Sequence, residues 1–439
     1  MTTSSASSVN KDLPIHRLSD TAVERLAMRV EALNRADTHT ARQAVRQAAF
    51  TALQQRGFPS RKDEDWQYTP LDAVLRLQFS QHAAKTVDGA VLQQVAPPFG
   101  AARLVFIDGV FQPQLSDDLP AGVSVAPIRE VDEAQLEAWQ QTVGVERDPF
   151  DLLSLALLDQ GITLKVDRIV ETPVVLLHWA TGADELISVR HRVEIASGTQ
   201  LTLVEQHESM QDVSVLLNNC VIEAEVADGA HYRHLKLQRD SQQGFHMAHH
   251  FVRQQRRSDF ASFYAALGGA VSRHFTHTFL LGEQANMDVN SAGLATGEQV
   301  MDTRTHTDHA SAHCTSRQVH KLVVDDSARG VFDGMIHVAP GAQKTDGLMD
   351  NKNLLLGPKA KVDAKPRLEI YADDVKCSHG SATGQLDPHQ LFYARARGID
   401  KDIARLLITT AFLTEPMEGL ANAAMRAWLQ QALTDKLQG

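Results

Sequence analysis

The amino-acid sequence predicts a mainly β protein with helical regions at both ends. Three observations carry that prediction. Short β-branched stretches follow one another over residues 161–371, with no long helical pattern among them. Turn signals recur between them, as in Ser197-Gly198-Thr199-Gln200-Leu201 and Asp228-Gly229-Ala230-His231-Tyr232. On either side of this region the apolar residues return at helical spacing.

Residues 18–57 read as two helices. Ser19 or Asp20 caps the first, where Val23, Leu26, Val30 and Leu33 repeat at helical spacing. The second spans roughly Thr40 to Arg56, with Gly57 and Pro59 as its stop. The charged run from Ser60 to Pro70 reads as a surface turn with Trp66 and Tyr68 anchored inward. Residues 104–111 read as a hairpin turning at Asp108-Gly109. Strand candidates then succeed each other at 162–166, 174–177, 187–195, 200–204, 213–226, 231–237, 245–252, 262–267, 274–281, 318–324 and 368–371. This much strand without helices needs an all-β architecture, either a sandwich or a β-helix. Residues 330–365 suit the β-helix, with brief apolar beats between Gly, Asn and Asp corners. The end is helical again. Asp387 caps, Pro388 takes the first helical position and Gly398 ends the turn. A second helix carries Ile403, Leu406, Leu407 and Phe412, and a third starts near Pro416 and carries Leu420, Met425, Leu429 and Leu433. These helices either cap the β region or present a docking surface.

The chain has 439 residues, longer than one ordinary domain. An apolar share of 43% and a charged share of 22% suffice for a large core and exclude chain-wide disorder. The net charge of −11 argues against a general nucleic-acid binder, and Arg253, Arg256 and Arg257 read as a solvated strand or turn. Cys220, Cys314 and Cys377 are far apart in sequence, which excludes a disulfide framework and a CxxC site. A reducing, cytoplasmic setting is the expectation. No apolar run reaches the roughly 18 residues of a membrane helix. Residues 1–10 are Ser/Thr-rich without an apolar segment behind them, so they read as a frayed tail rather than a secretory signal.

Two constellations are candidates for chemistry. The first is histidine-rich: His306, His309, His313, Cys314 and His320, with His246, His249, His250, His274 and His277 upstream. Imidazole and thiolate suit zinc or iron. In a strand, however, an odd step such as His306–His309 points the two rings to opposite faces. A solenoid can still bring distant histidines into rows, but ordinary hydrogen-bonded histidines are the plainer reading. The second is Asp373-Asp374-Val375-Lys376-Cys377-Ser378-His379-Gly380. Residues i and i+2 of a strand share a face, so Cys377 and His379 are placed to share a ligand, with Lys376 favouring a thiolate. A buried Cys beside a structural His is the commoner case. No P-loop, no GxGxxG after a strand and no HExxH occurs, and Gly330-Val331-Phe332-Asp333-Gly334 reads as a turn.

Several of these segments resemble the SufB/SufD family of iron–sulfur cluster assembly proteins. They are Ala328 to Gly334 and Pro340 to Thr345, Asp373 to Gly380 with Gly384 to Asp387, and Leu391 to Ile399. Upstream, Lys62 to Thr69 is similar to the family's N-terminal motif. The Lys376-Cys377-Ser378-His379-Gly380 wording is that of the SufD branch. The SufB branch carries a scaffold cysteine in the strand matching Asp350 to Gly357, and this chain has none there. The resemblance implies a right-handed parallel β-helix flanked by helical regions. It divides the chain into an N-terminal mostly helical region with a hairpin (1–150), a β-helix core (151–382) and a C-terminal helical region (383–439). It implies a non-catalytic subunit that pairs with a SufB-like subunit along β-helix edges near the C-terminal end. The C-terminal helices would dock a SufC-like ABC ATPase, which binds the ATP and whose hydrolysis rearranges the interface. His379 is the implied iron ligand facing the SufB cysteine around a transient Fe–S cluster, and Cys377 is the second candidate. An isolated chain could pair with itself. Neither nucleic acid nor membrane is an expected partner.

Two other readings differ in class. One is a β-helix polysaccharide lyase or hydrolase, usually exported and built with aromatic platforms; this chain has four Trp and five Tyr. The other is a purely structural solenoid that forms dimers or filaments.

Overall fold

The computed structural model describes residues 18–80, 86–144, 146–210, 215–420 and 422–438. From Ile162 to Gln385 the chain winds as a parallel β-solenoid of eight coils. Each coil contributes one strand to a ten-stranded sheet and one to a nine-stranded sheet. The register repeats about every 30 residues: Asn286 lies beside Thr315, and Thr315 beside Asp346. The two sheets face each other as in a sandwich, but every coil-to-coil pairing is parallel, so the β-helix alternative holds. Successive strands such as Val271–Leu280 and Asn286–Ala295 belong to opposite sheets, because short corners rather than hairpins join them.

The corners explain which strands the sequence displayed. Gly198, Gly229 and Gly297 hold positive φ at three of them, as the Gly-small-apolar beats predict. Arg257, Gln284, His313, Asp326 and Lys344 hold positive φ at others, where no glycine marks the turn. The strand Asn286–Ala295, entered through the Gln284 corner, accordingly escapes a turn-based reading, while Val300–His309, entered through Gly297, escapes because few of its residues are apolar. Gly330 to Gly334 is not a turn but part of the strand Arg329–Val338. A Cβ at Gly334 would lie 2.1 Å from Met349 Sδ and 2.8 Å from the Phe332 ring, so any larger residue there makes these two buried side chains shift. The strand expected at 213–226 starts at Leu217, and residues 211–214 lie outside the described residues, as do 1–17.

The two ends of the solenoid differ. At the first coil, Val123–Pro127 pairs antiparallel with Ile162–Val166. On the other sheet, Val110–Phe111 folds antiparallel onto Ala102–Ile107 through the Asp108-Gly109 turn, with φ of 45° and 83°. Short antiparallel strands therefore end both sheets there. At the last coil, Lys361–Ile370 and Lys376–Gln385 are edge strands of ten residues each.

The N-terminal helices Asp20–Ala36 and Thr40–Arg56 fall where their spacing predicts, and the Ser19 hydroxyl accepts from the Ala22 amide. With Glu133–Thr142 and Pro149–Ala156 they cover part of the outer face of the nine-stranded sheet, burying Leu217, Phe245, Met247 and Val271. The charged run pins this layer. Trp66 is buried beneath the Arg273 guanidinium, 3.6 Å from the ring centroid. Arg273 also donates to the Asp65 carbonyl at 2.8 Å and to Asp302 at 2.8 Å. Tyr68 is half-buried near Arg329. At the other terminus, Pro388–Ala396 and Lys401–Thr414 match expectation, but the third helix begins at Ala423, and Pro416 lies in a 3-10 turn. Leu413, Met425, Trp428, Leu429 and Leu433 bury the outer face of the ten-stranded sheet. Among the described residues no helix is long and apolar enough to cross a membrane.

Candidate functional site

The segment containing Cys377 and His379 forms the terminal strand Lys376–Gln385. The turn before it is tied to the preceding corner. The Lys344 amide donates to the Asp374 carbonyl at 2.7 Å, and the Asp374 amide donates to Gln343 Oε1 at 2.9 Å. Cys377 lies beside Gly347, and His379 beside Met349. One coil down, Met349, Asn351 and Asn353 of the same alternation are buried inside the solenoid. Cys377, His379, Ser381 and Thr383 continue that inward face onto a coil with no further coil above it. The period-2 argument therefore holds: thiol and imidazole share one face of one strand.

Their surroundings differ. Cys377 is half-buried against the apolar cluster of Phe332, Ile336, Val338 and Ala372. Gly347 leaves room beneath it; a Cβ there would stand 3.4 Å from the thiol sulfur. Burial pushes the Cys377 thiol up, only partly offset by its hydrogen bond with the Gly347 backbone. The expected thiolate-favouring effect of Lys376 is absent, because adjacent residues of a strand point to opposite faces. His379 is exposed. The pair thus offers one imidazole in the open and one thiol that ionises when a metal takes it. Two donors leave a cluster with ligands to find elsewhere.

The histidine-rich stretch does not converge as a whole: only His306 and the upstream His277 meet, at Asp308, and the others go elsewhere. His306 faces out and His309 in, as the odd step requires. His309 meets the Ser316 hydroxyl at 2.9 Å, and His320 meets the Ser291 hydroxyl at 2.8 Å. His313 is a corner residue, and Cys314 is buried with its thiol donating to the Gly282 carbonyl. His249 faces Asp148 at 3.3 Å, whereas His246 and His250 point inward.

Sequence reasoning missed a buried polar network in the first coils. Glu205 sits inside with Lys236 at 2.7 Å, His207 at 2.6 Å, His234 at 3.3 Å and Cys220 at 3.5 Å. Burial alone would raise the Glu205 carboxyl, but Lys236 and His207 hold it well below the usual range. Burial and the Glu205 charge push the Cys220 thiol well up. Alternation was the available signal. Leu201, Leu203, Glu205 and His207 share a face, and so do Tyr232, His234, Lys236 and Gln238. Each strand begins apolar and ends polar, so the interior has an apolar half and a polar half.

The C-terminal helices leave an apolar surface uncovered. Phe392 is 73% exposed, Ile403 53% and Leu407 54%. Tyr393, Ala394, Ala404, Leu407 and Ile408 line a shallow groove there.

The fold and the edge pair define a parallel β-solenoid protein with helical layers at both termini and a thiol and an imidazole side by side on its last strand. Residues 178–412 match the family described as SUF system FeS cluster assembly, SufBD core domain, and residues 26–173 match the SufBD protein N-terminal region. The chain belongs to this SufB/SufD family of iron–sulfur cluster assembly proteins. It is 36% identical to the iron-sulfur cluster assembly protein SufD of Escherichia coli over 91% of this chain and 94% of that protein. It is 29% identical to an iron-sulfur cluster assembly SufBD family protein of Synechocystis, over 89% of this chain and 90% of that one. A chloroplastic protein of Arabidopsis thaliana, ABCI7, is also 29% identical, over 88% of this chain and 84% of its own length.

Proposed function

We propose that this chain is the non-catalytic SufD-type subunit of an iron–sulfur assembly complex, in which nascent clusters are built and handed on. Its last coil pairs with a SufB-like subunit, and its C-terminal helices dock a SufC-like ABC ATPase that binds the ATP. His379 supplies an imidazole, and Cys377 secondarily a thiol, to a transient cluster whose remaining ligands come from the partner. The cluster is cargo rather than a resident cofactor.

One observation carries this reading: the solenoid is closed by short antiparallel strands at its first coil and open at its last, where Cys377 and His379 lie. Long unpaired edges are templates for another chain, and proteins that do not use them cover or shorten them. The exposed Phe392, Ile403 and Leu407 support the ATPase contact in the same way.

The test is co-purification with SufB-like and SufC-like partners, then iron and sulfide analysis after anaerobic reconstitution. The expected result is a stable complex whose cluster content falls in His379→Ala while the complex stays assembled. Undiminished cluster content in that variant removes His379 from the mechanism. Failure to retain either partner overturns the subunit assignment.

A further inference from the structure

Among the described residues, three groups of ligating side chains lie outside the terminal edge; two are fully buried around His207, and the third, around Asp308, is partly open to solvent and stands apart from everything the family reading uses. It lies on the outer face of the nine-stranded sheet, where three successive coils meet. Val271–Leu280 contributes His277, Val300–His309 contributes His306 and Asp308, and Arg329–Val338 contributes His337. The parallel register sets His277 beside His306, and Asp308 beside His337. His306 and Asp308 are two residues apart on one strand and so share its outward face.

The three imidazoles converge on the Asp308 carboxylate. His277 Nε2 is 2.7 Å from Asp308 Oδ2, His306 Nε2 is 3.2 Å from Oδ1, and His337 Nδ1 is 3.0 Å from Oδ1. Ligand atoms of His277, His306 and Asp308 all lie within 4.8 Å of one another. Ligands about 2.1 Å from a tetrahedral zinc-sized ion sit roughly 3.4 Å apart, so these three need little adjustment, and His337 is a fourth donor within reach of the Asp308 oxygen that His306 meets. All four side chains are part-exposed, between 18% and 35%, which leaves an ion a way in. His277 also lines a cleft of about 400 Å³ beside Phe251, Phe275 and Phe279. The His277 ring stacks on Phe279 at 3.9 Å and on His306 at 4.4 Å, so the ligands are held on rigid strands before any ion arrives.

We propose that His277, His306, His337 and Asp308 form a binding site for a divalent first-row transition-metal ion of the zinc or ferrous class. Imidazole nitrogens with one carboxylate are the donor set for these ions, whereas calcium and magnesium take all-oxygen sites. On binding, the proton that each ring nitrogen now directs at Asp308 passes by way of solvent to the other nitrogen of the same ring, so the imidazoles ligate as neutral rings and the freed nitrogens and the carboxylate turn to the metal. The site begins one strand inside the open end, on Arg329–Val338, and does not rest on the proposed role of Cys377 or His379.

The probe is cobalt(II) alone, titrated into the chelator-stripped full-length chain and followed by visible absorption and calorimetry. The expected result is one cobalt ion per chain with a d–d spectrum of nitrogen and oxygen ligands. His306→Ala and the near-isosteric Asp308→Asn are each expected to weaken binding by roughly 100-fold or more. The double variant Cys377→Ser/His379→Ala is expected to bind as the unaltered chain does. Unchanged thermal melting of His306→Ala, whose ring is part-exposed, separates loss of a ligand from loss of the fold. No bound cobalt, or equal affinity in the unaltered chain and His306→Ala, overturns the site. Binding that disappears only in the Cys377/His379 variant overturns it as well and assigns the metal to the terminal strand.

Discussion

Glu205 and Lys236 show what a single residue can do inside this solenoid. Breaking a buried ion pair from one side leaves a charge with no partner. Lys236→Met is therefore expected to cost about 3–5 kcal/mol, and adding Glu205→Gln is expected to recover much of the loss; chemical denaturation of the two variants checks this. Buried histidines set the pH response. Burial, aided by Lys236, pushes His246 down to about 4 despite Asp240 at 2.6 Å, and burial takes His309 to about 4 and His320 to about 3. These rings are neutral in the fold but charge near pH 6.5 in the unfolded chain. The unfolded chain thus binds more protons between about pH 6.5 and 4, so stability rises with pH across that window. It is complete above about pH 6.5 and is lost as pH falls towards the folded values, at about 1.4 kcal/mol per pH unit per histidine. Thermal melts from pH 7.5 to 4.5 should show a steep fall, shallower in His320→Gln. Equal melting temperatures at pH 7 and 5 would remove the histidines from the acid response.

Among the elements, the two helical layers behave differently. The N-terminal layer is pinned by one aromatic: Trp66 is buried under Arg273 and against Phe150 at 5.4 Å. Trp66→Ala is expected to cost about 3–5 kcal/mol and to expose the N-terminal helices to proteolysis before the solenoid. The C-terminal layer has two faces. Leu413, Trp428, Leu429 and Leu433 pack on the ten-stranded sheet, while Phe392, Ile403 and Leu407 face outward. Deleting residues 386–439 would uncover that sheet face, so loss of ATPase binding by such a truncation has two causes. Leu407→Asp separates them: it touches the outer groove alone, and is expected to abolish ATPase capture with the melting temperature unchanged. Retained capture would place the docking surface elsewhere. The third of these helices starts at Ala423 rather than near Pro416, whereas the start and end of the first were legible because caps act locally. Asp387 accepts from the His389 amide, Asp400 from the Asp402 amide, and Gly398 takes φ 83°. The late solenoid strands were not, because Gln284, His313, Asp326 and Lys344 adopt positive φ only when neighbouring coils hold their corners.

For the whole molecule, the asymmetry of the solenoid's ends is the governing fact. A solenoid coil is stabilised by its neighbours, so a last coil without one is the natural place for a second chain. If the last coil is a pairing edge as proposed, the isolated chain is expected to self-associate through these edges. Sedimentation at rising concentration should show a dimer that an excess of the SufB-like subunit dissolves. A chain that stays monomeric at all concentrations would mean that the last coil protects its own edges.

Sequence alone determined the things that depend on near neighbours. Helix caps, the Asp108-Gly109 hairpin, the glycine-marked corners and the shared face of Cys377 and His379 all follow from dihedral preferences and period-2 alternation. The wording of the motifs also carried the family. Tertiary structure decided what depends on register between coils about 30 residues apart. It chose a parallel solenoid over a sandwich and put Glu205 against Lys236. It gathered His277, His306 and His337 around Asp308, and left one end of the solenoid open. The physical reason is that a one-residue change in any corner would turn every following side chain to the other face. Corner lengths at positive-φ residues without glycine are set by packing against the next coil, a term that no local stretch of sequence contains.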